Sequence, residues 1–142
     1  MSRRHKTTVL IVDDEPDILL MLRLNLEAEG FATLLAGDGQ TALRRVREEG
    51  PDLILLDVMM PLLDGWGVLE RLAADATRPR VIVLTAKHTE RDMTRAADLG
   101  ADAYVTKPFD PDALIAKIDE VLSMDLPRPQ QDAVEAVYVQ DV

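Results

Sequence analysis

The sequence predicts an α/β fold, an open parallel sheet wound with helices on both faces. Three observations carry this. Five short apolar runs recur along the chain, each is followed by a segment with helical spacing, and three of the runs are apolar without interruption. Strands covered on both faces lose the in-and-out alternation of a half-exposed strand, and alternating strand and helix signals are the pattern of βα units in a parallel sheet.

The elements follow in order. Val9-Leu10-Ile11-Val12 is the first run, and the helical stretch at 15–29 opens near Pro16, which suits a first helical turn because its missing N–H would have no partner there. Gly30 and Gly100 stand where helix ends need a left-handed residue. The second run, 31–36, precedes a helical stretch at 40–49. Leu53-Ile54-Leu55-Leu56 precedes one at 66–74, where Trp66 reads as helix packing. Val81-Ile82-Val83-Leu84 precedes one at 90–99, whose start, Thr89-Glu90-Arg91-Asp92, resembles a capping box with Asp in place of Glu. The fifth run, 101–105, leads to a helix at 111–123 with Asp110-Pro111 as cap and first residue. This pattern divides the chain into a basic arm (1–6), one domain (7–123) and an acidic linker and tail (124–142), too short for an output domain.

Composition bounds the function. A chain of 142 residues, 47% apolar, is one domain with a sizeable core. It has no cysteine, which excludes disulfides, a thiolate nucleophile and zinc-thiolate clusters, and points to a reducing compartment. With 16 Lys plus Arg against 26 Asp plus Glu, the net charge of −10 repels a phosphate backbone, so no nucleic-acid partner is expected. The apolar run after the basic start stops at Asp13, too short for a signal peptide or a spanning helix, so no membrane association and a cytoplasmic location are expected.

In open α/β sheets the binding crevice lies beyond the carboxyl ends of the strands. Here the runs end in Asp13-Asp14, Asp57, Thr85 and Thr106-Lys107-Pro108. Each alone has a plain structural reading: Asp14 could cap a helix, Asp57 and Thr85 could satisfy loop amides, and Lys107 could be a solvated charge. Three carboxylates at one sheet edge repel one another unless a cation neutralises them, and one ammonium is insufficient. Mg²⁺ fits, because it takes oxygen ligands and is commonly shared between carboxylates and a phosphoryl group. A carboxylate beside Mg²⁺ can attack phosphorus in line, while ammonium and hydroxyl neutralise charge on the equatorial oxygens.

These residues, with Leu55-Leu56-Asp57-Val58-Met59-Met60-Pro61, Asp64-Gly65, Leu84-Thr85-Ala86, Gly100-Ala101 and Tyr104-Val105-Thr106-Lys107-Pro108-Phe109, resemble the receiver domain of two-component response regulators over residues 7–123. The resemblance implies a flavodoxin-like (βα)5 fold with strand order 2-1-3-4-5. It implies that Asp57 accepts a phosphoryl group from a histidine kinase or histidine phosphotransfer protein. It also implies that Asp14 and Asp57 bind Mg²⁺ directly, Asp13 largely through water and Met59 through its backbone carbonyl. Lys107 would contact the acceptor carboxylate and then the phosphoryl group, with a cis bond to Pro108. Thr85 would move toward the phosphoryl group, and Tyr104 would turn inward behind it, reshaping the face made by the fourth helix, fifth strand and fifth helix. The chain then reads as a stand-alone regulator, not an enzyme beyond assisting its own phosphorylation and dephosphorylation. It would relay phosphate or bind a downstream protein target, as a monomer or a weak phosphorylation-dependent dimer. Asp102 and Lys117 fit charged positions that some relatives use to dimerise, while Met93 and Ala103 depart from that pattern.

Three rival readings are weighed against this one. Gly37-Asp38-Gly39-Gln40-Thr41-Ala42 matches a dinucleotide-binding fingerprint, but Asp38 would repel pyrophosphate, and a tight turn with a helix cap explains it as well. An aspartate-nucleophile phosphatase would use Mg²⁺ and a strand-end Asp, but it typically carries a second acid where Met59 stands. A phosphorylation-independent binding module is the third. His5 and His88 have no metal-ligand constellation around them. On the first helix Leu19, Leu22 and Leu26 share one face, and Leu20 and Leu24 project from the other with Met21 at its margin, either as a broad core stripe or as a docking patch.

Overall fold

The computed structural model describes residues 7–60, 63–75, 78–86 and 89–124. The basic arm, the tail from 125, His5 and His88 lie outside these residues. Strands and helices alternate as β1 (Thr8–Val12), α1 (Pro16–Ala28), β2 (Ala32–Ala36), α2 (Gly39–Glu49), β3 (Leu53–Asp57), α3 (Gly65–Ala73), β4 (Arg80–Thr85), α4 (Glu90–Asp98), β5 (Ala103–Thr106) and α5 (Pro111–Ser123). The strands form one sheet in the order β2-β1-β3-β4-β5, and every pair is parallel.

Side chains alternate across each strand, so one uninterrupted apolar run supplies two cores. Leu10, Val12, Ile54, Leu56, Val81, Val83 and Tyr104 face α2, α3 and α4. Val9, Ile11, Leu53, Leu55, Ile82, Leu84 and Ala103 face α1 and α5. Each buried Leu, Ile or Val stabilises the fold by roughly 1.5–3 kcal/mol relative to exposure. On α1, Leu22 and Leu26 are fully buried and Leu19 half-buried, whereas Leu20 and Leu24 remain 53% and 58% exposed. The broad core stripe is thus ruled out for those two leucines.

The helix starts are set by side chains that take up free backbone amides. Asp38, Asp64, Thr89 and Asp110 each accept from the amide three residues on. Asp92 falls one methylene short of a capping-box Glu, and its carboxylate accepts from the Thr89 hydroxyl at 2.8 Å. The turn at 37–39 has the plain structural reading: Asp38 caps α2, with Thr41 N and Oγ1 both donating to its carboxylate. Those bonds hold the Asp38 carboxyl below its ordinary range.

Asp102 departs from the dimer-surface expectation, because it is 1% exposed. Its carboxylate accepts from Val81 N at 2.8 Å and lies 3.6 Å from the Arg80 guanidinium, tying the start of β4 to the loop before β5. Beside it, Gly100 has φ 94°, a left-handed conformation that favours glycine, and its carbonyl accepts from the buried Arg78 at 2.6 Å. A Cβ at Gly100 would lie 2.4 Å from that guanidinium.

Candidate functional site

Sheet register assembles the site. Val12 pairs with Leu56, which brings Asp13 beside Asp57. Asp57 pairs with Leu84, so Thr85 stands one step further along, and Thr85 pairs with Thr106, so Lys107 follows. The chain order reverses between β1 and β3, and the crevice of a doubly wound sheet opens at such a reversal. Asp13 and Asp57 flank it.

Carboxylate oxygens of Asp13, Asp14 and Asp57 lie within 4.8 Å of one another. Asp13 is fully buried, Asp57 is 2% exposed and Asp14 is exposed. Asp14 does not cap α1. Glu15 holds the cap position without a side-chain bond, and Asp13 Oδ1 accepts from Glu15 N at 2.9 Å. Met59 N donates to Asp57 Oδ1 at 3.0 Å, which orients that carboxylate. Lys107 Nζ donates to Asp13 Oδ2 at 2.8 Å and lies 3.6 Å from Asp57 Oδ2, so its shorter contact is with Asp13.

The electrostatics follow from burial and this geometry. Desolvation pushes the Asp57 carboxyl up from its ordinary range, and the charges of Asp13 and Asp14 add to it, against the Met59 amide and Lys107. Burial would lower the Lys107 ammonium, but its hydrogen bond and charge contact with Asp13, with Asp57 added, hold it above its ordinary value. One ammonium against three carboxylates leaves the crevice short of positive charge. An all-oxygen donor set with surplus negative charge suits a hard divalent cation such as Mg²⁺.

The remaining predicted residues stand at the same end of the sheet. Thr85 is buried, and its carbonyl accepts from Lys107 N at 2.8 Å. The Lys107–Pro108 bond is cis. Tyr104 is 4% exposed and packs in the core with Val83, Ala96 and Ala97, so its ring lies inward. Met59 is half exposed at the rim. Beside the crevice, Ile18, Met21, Ala86, Lys107, Pro108 and Phe109 line an apolar groove of about 340 Å³.

Two features escaped sequence reasoning. Gly65 packs so closely under Asp57 that a Cβ there would lie 2.5 Å from Asp57 O and from Val58 Cα. Its place beside Asp64 in a recognisable pair was the available signal. Arg95 lies 4.3 Å from the Trp66 ring centroid, joining α4 to α3. Among the described residues no helix is long and apolar enough to cross a membrane.

Comparison with known proteins agrees with this fold. Among curated proteins, the chain is 43% identical over 114 residues to the alkaline phosphatase synthesis transcriptional regulatory protein PhoP of Bacillus subtilis, covering 80% of this chain and 48% of that one. It is 41% identical over 134 residues to the DNA-binding response regulator MtrA of Mycolicibacterium smegmatis, covering 94% and 57%. The chain therefore spans about half the length of the curated relatives it matches. Their names lend no support to the expectation that nucleic acid is not a partner. Among solved structures, the receiver domain of Francisella response regulator 1452 is 33% identical with a TM-score of 0.78, over 82% of this chain and 96% of that one. A CheY-like receiver domain protein of Methanospirillum hungatei is 31% identical with a TM-score of 0.77, over 82% and 93%. Receiver domains are signalling regulators rather than enzymes in the usual sense, and they interact with histidine kinases or phosphotransfer proteins. The family model for the response regulator receiver domain matches residues 9–119, and the chain belongs to that family.

Proposed function

We propose that this chain is a phosphorylation switch of a two-component or phosphorelay system, with Asp57 as the phosphoacceptor. The observation that carries the reading is the Asp57 carboxylate, oriented by Met59 N, buried beside two further carboxylates and within 3.6 Å of an ammonium. An oxygen of Asp57 attacks the phosphorus of a phosphohistidine. The P–N bond breaks as the P–O bond forms, and the histidine regains its proton. Lys107 and the Thr85 hydroxyl offset charge on the equatorial oxygens. Asp13, Asp14 and Asp57, with the Met59 carbonyl, would hold Mg²⁺, which supplies a fixed positive charge for the transferring group. The donor protein docks on α1, where Leu20 and Leu24 are exposed beside the apolar groove at Ile18, Met21 and Phe109.

The acquired charge is read out through Thr85. A phosphoryl group brings roughly two negative charges to the end of β3, and Thr85, one register step along β4, moves toward it. Tyr104 lies buried against Val83, Ala96 and Ala97, so this movement changes the packing around its ring and alters the α4-β5-α5 surface. The test is acetyl phosphate with Mg²⁺, followed by borohydride trapping and mass spectrometry. A label on Asp57 that needs Mg²⁺ is the expected result. A stable label on the Asp57→Asn variant, or labelling of the native chain in EDTA, overturns the assignment. Beryllofluoride should perturb NMR signals of α4 and Tyr104, and these distant shifts should shrink in Thr85→Ala.

A further inference from the structure

The described basic side chains are mostly engaged within the fold. Arg23, Arg45, Arg80, Lys107 and Lys117 each lie within 4.0 Å of a carboxylate, Arg95 stacks on Trp66, and Arg78 donates to Gly100. Arg44, Arg47 and Arg71 have no hydrogen-bond or ion-pair partner among the described residues, and all three line one groove of about 520 Å³ between α2 and α3. Arg91, the remaining such residue, stands apart on α4. Unpaired guanidinium groups gathered in one concavity run against the net charge of −10.

The packing of α2 and α3 brings the arginines to one cleft. Gly39, at the start of α2, lies against Leu63, where a Cβ would sit 2.4 Å from Leu63 O, and a Cβ at Gly67 on α3 would meet the same Leu63 side chain. Arg71 follows Gly67 by one helical turn, and Arg44 and Arg47 lie one turn apart on α2, so each helix offers its guanidinium groups to the shared cleft. The single acid in the lining, Asp38, is committed to Thr41 N and Oγ1, and Arg44 helps keep it charged. Leu43 contributes an apolar strip, and the Gln40 side chain supplies a further donor.

We propose that this cleft is a second ligand site, which takes a small polyanion carrying two or three phosphate groups. Guanidinium groups recognise phosphate and carboxylate oxygens through paired N–H donors, and three of them converging favour a multiply charged ligand over a single anion. The volume suits a compact polyphosphate rather than a long extended chain. The site lies apart from Asp57, and its occupation does not require phosphorylation.

Isothermal titration of the full chain in EDTA at moderate salt, with tripolyphosphate as the probe, tests the proposal. Citrate separates phosphate from carboxylate recognition. One-to-one binding of tripolyphosphate is expected, weakened about tenfold by Arg71→Gln and further by Arg44→Gln with Arg47→Gln, as loss of a charge-assisted contact predicts. The exposed Arg91→Gln serves as the charge-matched control and should change affinity less than twofold. Asp57→Asn should bind as the native chain does, so failure of the phosphoacceptor assignment and failure of this site are separable. Absence of binding, equal weakening by Arg91→Gln, or tighter binding of citrate than of tripolyphosphate overturns the proposal.

Discussion

Replacing Asp57 by Asn should stabilise the protein in the absence of divalent cations. Asn keeps the shape and the oxygen that accepts from Met59 N, removes the charge, and turns the oxygen facing Lys107 into an amide donor. With an effective dielectric of roughly 20, attraction to Lys107 at 3.6 Å amounts to about 5 kcal/mol, and repulsion from a carboxylate within 4.8 Å to at least about 3.5 kcal/mol. Asp13 exerts that repulsion in full because it is buried, whereas solvent screens the exposed Asp14. The Coulomb balance is therefore near zero, and desolvation, the largest cause of the raised Asp57 value, decides the sign. A stabilisation of about 1–2 kcal/mol, or roughly 3–8 °C in Tm for a domain of this size, is expected at pH 7. A carboxyl whose folded value exceeds its unfolded one favours the fold below the unfolded value and loses that contribution as pH rises through the folded value. The advantage of Asn should thus be largest at neutral pH and fade on acidification toward pH ~4, the ordinary Asp range. Mg²⁺ should narrow it by stabilising the native chain through mass action. Thermal unfolding by circular dichroism in EDTA, at both pH values and then with Mg²⁺, measures all three effects. A lower Tm for Asp57→Asn at pH 7 in EDTA, or a gap that acid does not shrink, would refute the charge argument.

Three further outcomes are expected. Leu20→Glu or Leu24→Glu should change stability by no more than about 0.5 kcal/mol, since both positions are exposed, yet slow phosphotransfer from the cognate kinase far more than labelling by acetyl phosphate; radiolabel time courses compare the two. Arg95→Ala removes the cation over the chain's one tryptophan, so Trp66 emission should shift in intensity or wavelength while stability falls by about 0.5–1 kcal/mol. Truncation after Met124 should leave Tm nearly unchanged, because Arg80 Nη2 still donates to Met124 O at 2.6 Å; truncation after Ser123 loses that bond and should cost about 1–2 kcal/mol in urea unfolding.

The strand ends were legible because parallel pairing places consecutive βα units in nearly level register. The polar residue closing each apolar run then lands beside its neighbours, as Asp13, Asp57, Thr85 and Lys107 do. Strand order came from resemblance, since periodicity gives faces and not neighbours. Which carboxylate the Lys107 ammonium approaches more closely was not legible, because it depends on tenths of an ångström in side-chain placement. Asp102 was misplaced on the surface for a related reason. Its burial is made possible by Val81 N and Arg80, about twenty residues away in sequence. The arginine groove joins α2 to α3, and no local motif links Arg44 to Arg71.

The contact under Asp57 bears on how such a chain can drift. Gly65 has no side chain with which to act, yet a single added methyl there must push against the backbone that carries Asp57. Any side chain at position 65 therefore displaces the backbone that carries Asp57. Diversity among descendants of this sequence should accordingly collect in the exposed rim and the outer helix faces. The floor of the site remains closed to change long before any of its charged groups is touched.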